Sequence, residues 1–194
     1  MSNVTPVVIL AGGEGSRIGG SKPLRRLAGR TLIDRAVALA CGYSSTVAVA
    51  CRFSDQLAIS GARVIVDDPE VEGPLGGLLP ALEFARENAR SEALVIPADM
   101  PFLPRDLLAR LQAAIGDKLA AVASSGGRMH PVCGLWRIGA LDKAPLYLRT
   151  GKRSLKGFAE AIGYATAEWA PDPDPFFNIN TADDLDAAER RLTR

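Results

Sequence analysis

One histidine, three cysteines and almost no net charge narrow the chemistry open to this chain of 194 residues. The cysteines, Cys41, Cys51 and Cys133, are odd in number and lack paired spacing, which argues against a disulfide framework. They read as reduced cytosolic thiols, Cys41 in a helix and the other two at or in strands. A cysteine nucleophile would want a histidine base. The one histidine, His130, lies three residues before Cys133, and a regular strand would put the two on opposite faces. No apolar run approaches the roughly 20 residues needed to span a bilayer, and the N-terminus lacks the charged start and apolar stretch of a signal peptide. A cytoplasmic protein without membrane contact is expected. Lys and Arg number 23 against 22 acidic residues, so nothing suggests the basic face that nucleic acid requires. Repeats, linkers and low-complexity segments are also missing. A single domain over residues 1–194 is expected, in which folding buries roughly 70% of the unfolded surface.

What the chain does have is glycine in one place. Val7-Val8-Ile9-Leu10, a run suited to a parallel strand covered on both faces, opens into Ala11-Gly12-Gly13-Glu14-Gly15-Ser16-Arg17-Ile18-Gly19-Gly20-Ser21-Lys22-Pro23. Glycines let backbone N–H groups approach an anion, and Arg17 and Lys22 suit a polyphosphate. Two familiar glycine loops fail here. A Walker loop needs Gly-Lys followed by Ser or Thr, but Ser21 separates Gly20 from Lys22, and Pro23 disfavours a helix starting at Lys22. A dinucleotide fingerprint needs glycine at position 18, which is Ile18, and an acidic residue where Cys51 stands.

Strand and helix patterns alternate along the rest, predicting an α/β protein with a mostly parallel sheet. Strands are expected at Thr46–Ala50, Arg63–Val66 and Ala93–Pro97. Helices are expected after the cap Thr31, over Leu75–Asn88, from Pro104 through Ile115, near Ile138–Leu148, at Leu155–Ile162, and at Ala182–Leu192 behind a Thr181/Asp184 cap. Leu119–Ala123 and Pro131–Trp136 flank Ser124-Ser125-Gly126-Gly127, a hairpin that breaks the parallel pattern. Pro171–Pro175 reads as an exposed loop. Ligands of open α/β sheets lie beyond the carboxyl ends of the strands, and the glycine loop, Cys51-Arg52, Asp67-Asp68 and Asp99 all fall there.

The string Leu10-Ala11-Gly12-Gly13-x-x-Ser16-Arg17-Ile18-Gly19, with Lys22, resembles the phosphate loop of nucleotidyltransferases that activate sugar phosphates, alcohols and pterins. Pro97-Ala98-Asp99-Met100-Pro101 resembles their metal-binding strand end. Gly73–Leu78, His130–Trp136 and Phe177–Thr181 are similar to one branch, the molybdenum cofactor guanylyltransferases, so the resemblance covers most of the chain. It implies a three-layer, Rossmann-like nucleotidyltransferase fold, its mostly parallel twisted sheet covered by helices on both faces. It also implies transfer of GMP from Mg-GTP to molybdopterin with release of pyrophosphate. The substrates would be GTP and molybdopterin, the cofactor Mg²⁺, and the protein partners molybdopterin-inserting proteins and molybdoenzymes.

On that resemblance Asp99 holds the metal, with Asn180 a second candidate ligand. Mg²⁺ takes one or two carboxylates plus phosphate oxygens and water, and a strand-end aspartate beside rigid Met100-Pro101 suits it. Alternatively, Asp99 caps a turn, and Asn178 and Asn180 satisfy the turn before the last helix. Lys22 bridges the α-phosphate and leaving group, while Arg17 holds the outer phosphates with its planar fork. Leu10, Ala11, Gly12, Gly13, Gly15 and Ser16 lie along the nucleotide. Gly12 leaves room for a purine where cytidylyl relatives tend to carry Ala. Asp67, an acceptor, faces the guanosine part, and Cys51 takes the place of an amide contact. His130, Lys152 and Arg153 are candidates for the acceptor, against packing for His130 and plain solvated surface for the other two. Ser21 stands where the family usually has an acidic residue. Cytidylyl transfer to the same pterin, sugar-phosphate activation and a non-catalytic nucleotide-binding adaptor are the competing readings. Retention of Arg17, Lys22 and Asp99 together argues against the last.

Overall fold

A computed structural model describes residues 4–12, 22–53 and 59–193. The elements in order are β1 (Val7–Leu10), β2 (Arg26–Leu27), β3 (Arg30–Thr31), α1 (Leu32–Tyr43), β4 (Val47–Cys51), β5 (Arg63–Val66), α2 (Pro74–Glu87), β6 (Glu92–Pro97) and α3 (Leu107–Ala114), followed by β7 (Ala120–Ser125), β8 (Arg128–Arg137), α4 (Ala144–Arg149), α5 (Leu155–Ile162), β9 (Tyr164–Trp169) and α6 (Ala182–Leu192). Seven strands form one sheet in the order β5-β4-β1-β6-β8-β7-β9, and only β8 runs antiparallel to its neighbours. β2 and β3 make a separate small hairpin.

The three layers follow from strand parity. Val7, Ile9, Val47, Val49 and Cys51 face α1 and α3, where Ile33, Val37, Leu107 and Leu111 complete one apolar cluster. Val8, Ala48, Ala50 and Val95 face the other way, onto Leu78, Leu82, Tyr147 and Phe158. Both faces are dry, so these strands read as continuous apolar runs rather than alternating ones. A third, smaller cluster of Leu27, Leu32, Ile179 and Ala188 ties the small hairpin to α6.

Several boundaries shift from expectation. The helix expected from Pro104 begins at Leu107, because residues 105–106 form a turn that presents Asp106 as its N-cap. Residues 138–148 form a 3-10 segment, Ile138–Lys143, before α4. A 3-10 turn, Lys22–Leu24, holds Lys22; no α-helix starts there. Gly126 and Gly127, at φ 53° and 76°, close the β7–β8 hairpin, both in the left-handed region that such a two-residue turn demands. Between Val122 and Ala123 the pairing jumps from Gly134 to His130, leaving Pro131–Cys133 as a bulge. That bulge resets the alternation. His130 stacks on Phe176 and Cys133 meets Met100, so both face the α1–α3 cluster rather than opposite sides.

Candidate active site

The carboxyl ends of β5, β4, β1 and β6 surround one cavity of about 810 Å³ on the α2 side of the sheet. Leu10, Ala11 and Gly12 leave β1 into its wall, with Ala11 N–H donating to Ala50 O at 2.8 Å and Ala98 N–H to Leu10 O at 3.2 Å. Those bonds continue the β1 ladders one residue past the strand, so the start of the loop is rigidly placed.

Asp67 follows β5, its amide held by Cys51 O at 2.9 Å. Asp68 N–H donates to Gly76 O at 2.8 Å and fastens the turn to α2. The Asp67 carboxylate is wedged between two glycines. A Cβ on Gly12 would stand 2.0 Å from Asp67 Oδ2, and one on Gly77 would stand 2.9 Å from Leu10 Cδ2 and 3.1 Å from Asp67 Oδ1. Oδ1 is buried without a hydrogen-bond partner, a state that costs about 1–3 kcal/mol unless a donor arrives. Burial pushes the Asp67 carboxyl above its ordinary range, with the Arg52 guanidinium opposing.

Asp99 lies in the turn just past β6, and Lys22 reaches it from the 3-10 turn. Lys22 Nζ lies 2.5 Å from Asp99 Oδ2, 2.7 Å from Asn180 Oδ1 and 3.5 Å from Asn178 Oδ1. The two charged side chains keep only 14% and 21% of their surface exposed. Residues 178–180 join no strand or helix. Alternation nevertheless puts both amides on the Lys22 side while Ile179 packs below. Ile179 N–H donates to Asp99 O at 3.0 Å, so the segment is stitched to the strand end. Asp99 Oδ1 is buried with no partner. Among the described residues no three His, Cys, Asp or Glu side chains gather as a metal cage. One unsatisfied carboxylate oxygen beside two amides is nonetheless the sparse oxygen set that Mg²⁺ accepts when phosphates and water complete its shell.

The structure therefore brings together Leu10, Ala11, Gly12, Lys22, Asp67 and Asp99 around the cavity, and Asn180 with Lys22 and Asp99. Gly13, Gly15, Ser16 and Arg17 lie outside the described residues. Four further candidates lie outside the cavity lining. Cys51 is fully buried and shares the parity of Val47 and Val49, so its side chain faces the α1–α3 layer; Arg52 and Phe53 line the cavity instead. His130 is 4% exposed and stacked on Phe176 on the face away from α2, the packing alternative. Lys152 and Arg153 do not line the cavity. Lys152 is exposed, and Arg153 donates to the carbonyls of Leu148 and Lys152, each at 2.9 Å. Sequence reasoning missed Phe53, Gly77 and Val132 as wall residues. Only Val132 had no accessible signal, because the bulge that delivers it is a pairing irregularity.

A cavity of this size at the switch between strand ends, with a lysine–aspartate pair and an amide-bearing segment, defines an α/β nucleotidyltransferase. Residues 7–166 match the MobA-like NTP transferase domain, and the chain belongs to that family. A molybdenum cofactor guanylyltransferase of Acidiphilium cryptum is 42% identical over 186 residues, covering 94% of this chain and 92% of that protein. The protein of the same name from Bradyrhizobium sp. (strain ORS 278) is 40% identical over 198 residues, covering 97% and 93%. The fold is shared with molybdopterin-guanine dinucleotide biosynthesis protein A of Archaeoglobus fulgidus, at a TM-score of 0.78 and 24% identity over 97% of this chain and 99% of that one. It is shared equally with a 4-diphosphocytidyl-2C-methyl-D-erythritol synthase of Anaerococcus prevotii, at 0.76 and 12% over 99% and 97%.

Proposed function

We propose that this chain transfers GMP from GTP to the phosphate of molybdopterin, free or molybdenum-bearing, and releases pyrophosphate. An oxygen of the acceptor phosphate forms a bond to the α-phosphorus. The bond from that phosphorus to the bridging oxygen breaks, and its electron pair leaves with pyrophosphate. The acceptor oxygen is already anionic, so no base need remove a proton. The work left to the protein is alignment and charge neutralisation.

The observation that carries this reading is that one cavity joins Asp67 to the Lys22–Asp99 pair. They follow β5 and β6, three strand spacings apart, or roughly 14 Å. Asp67 offers an acceptor to the N–H groups of guanine at one end. At the other, the Lys22 ammonium brings a positive charge, and phosphate oxygens would take over donors that now point at the Asn178 and Asn180 oxygens. Both wall glycines keep the base end open, since a methyl on either would meet Asp67. Asp99, with the Asn178 and Asn180 amides beside it, would hold Mg²⁺. When bound, that ion supplies charge neutralisation for the triphosphate and the leaving pyrophosphate. The relatives' name, molybdenum cofactor guanylyltransferase, supports this acceptor. No helix among the described residues is long and apolar enough to cross a membrane, and we place the reaction in the cytoplasm.

Pyrophosphate release by the purified protein, given molybdopterin, Mg²⁺ and either GTP or CTP, tests the reading. Release with GTP alone supports it. Preference for CTP keeps the chemistry and overturns the base assignment. Silence with both, in protein that binds nucleotide, overturns the acceptor.

A further inference from the structure

His130 touches no part of the cavity, yet its contacts end on the segment that carries Asn178 and Asn180. Ser125 Oγ donates to Asp174 Oδ1 at 3.1 Å, and the same oxygen accepts from Phe176 N–H at 2.9 Å. His130 Nε2 lies 3.1 Å from Ser125 Oγ. A hydroxyl has one hydrogen, and here Asp174 takes it, so Nε2 must be the donor in this contact. The order is His130 Nε2–H to Ser125 Oγ–H to the Asp174 carboxylate. Arg191 Nη1 anchors Asp174 O at 2.6 Å from α6. The His130 ring stacks on Phe176 with centroids 4.6 Å apart and planes 18° apart, and Trp169 meets Phe176 edge-on with centroids 5.4 Å apart. Asn178 is two residues further on.

We propose that His130, Ser125 and Asp174 form a clasp that sets Asn178 and Asn180 against Lys22 and Asp99, which makes His130 a positioning residue for the transfer step. As a role in transfer it rests on the reading above. His130 and Ser125 are 4% and 5% exposed, and a polar chain this deep persists only when every member is satisfied. Burial holds the imidazole below its ordinary pKa, with Asp174 opposing, so the ring stays neutral and its tautomer is fixed by Ser125. Packing alone would need the stack on Phe176 but not the donor. The clasp needs both, because Asp174 fixes the backbone just before Phe176 while the stack fixes its ring.

Three variants separate the two roles. His130→Phe keeps the stack and removes the donor, His130→Gln keeps a donor near Nε2, and Ser125→Ala breaks the relay while leaving the histidine. Turnover is counted per GTP-binding site, titrated in each preparation, so that unfolded protein does not register. His130→Phe is expected to lower kcat about tenfold while the GTP KM stays within about twofold, the pattern of a displaced reacting end with an intact base site. Ser125→Ala follows it, and His130→Gln recovers most of the loss. Amide hydrogen exchange over residues 176–180 speeds up in His130→Phe and Ser125→Ala, while the β1 and β6 amides keep their protection. The chain has one histidine, so the ¹⁵N spectrum of its ring is self-assigned and is expected to show the Nε2–H tautomer. Wild-type kcat and exchange in His130→Phe, an Nδ1–H tautomer, or a glutamine variant no better than phenylalanine would each overturn the clasp. The exchange and ¹⁵N arms need no acceptor, so they decide the clasp even if transfer to molybdopterin fails.

Discussion

Gly12 and Asp67 share a space that has room for one side chain: a Cβ on the glycine would sit 2.0 Å from Asp67 Oδ2. The glycine comes from the end of β1 and the aspartate from the end of β5, with β4 between them. A single methyl at residue 12 is thus a substitution at the base end of the cavity, made without touching the reacting end.

Gly12→Ala is therefore expected to displace the Asp67 carboxylate and raise the KM for GTP about tenfold or more, with a smaller effect on kcat. Steady-state kinetics on Gly12→Ala, Asp67→Ala and the double variant check it. Because the two side chains compete for one space, the double variant should be little worse than Asp67→Ala alone. Fully additive losses would mean that the contact is not the cause.

Two carboxylates give stability opposite dependences on pH. Burial raises the Asp67 pKa, so the folded chain holds this proton to higher pH than the unfolded chain does, and stability falls as pH rises from the ordinary carboxylate value through the raised one. Asp184 is the reverse. Backbone N–H groups of Asn180 and Thr181 donate to it at 2.9 and 2.8 Å and hold its pKa low. Its contribution is present above the unfolded value and is lost as pH falls through the lowered one. Melting temperatures measured between about pH 3 and 8 should show Asp67→Asn removing the first slope and Asp184→Asn the second.

Asp99→Asn keeps an oxygen for Lys22 but loses the charge. It is expected to cut turnover on the order of 10²–10³-fold, the scale of losing one preorganised electrostatic partner. Near-normal turnover per binding site would remove Asp99 from the mechanism.

Lys22→Met leaves the Asp99 carboxylate with one buried oxygen unpartnered and the other deprived of its cation. A stability loss of about 1–3 kcal/mol is expected from denaturant unfolding. Adding Asp99→Asn should recover much of that loss, because the uncompensated charge goes, while turnover stays low. Recovery of both together would mean that the pair serves stability alone.

Much of this architecture is legible in the chain. Arg63–Val66, Leu155–Ile162 and Ala182–Leu192 stand where periodicity and the Thr181/Asp184 capping box put them. Convergence of Gly12, Asp67 and Asp99 followed from strand ends alone. Cys51 did not, although its parity with Val47 and Val49 turns its side chain to the α1–α3 layer: a strand end gives a residue's position but not its face. β9, with its Tyr164–Trp169 run, gives only a weak alternating pattern at the sheet's edge. Which of the two readings of His130 holds, packing or acceptor contact, was not legible for a deeper reason. The bulge at Pro131–Cys133 breaks the two-residue period on which facing is inferred, and Phe176, on which the ring stacks, and Asp174, which its partner Ser125 reaches, are more than forty residues away.

The most direct measurement follows the nucleotide itself: GTP labelled at its α-phosphate, incubated with the protein, Mg²⁺ and molybdopterin, with the product identified by mass. The account expects the label in a dinucleotide that joins the pterin phosphate to GMP, formed in step with pyrophosphate. Label that remains in GTP, or a dinucleotide that forms only from CTP, would contradict it.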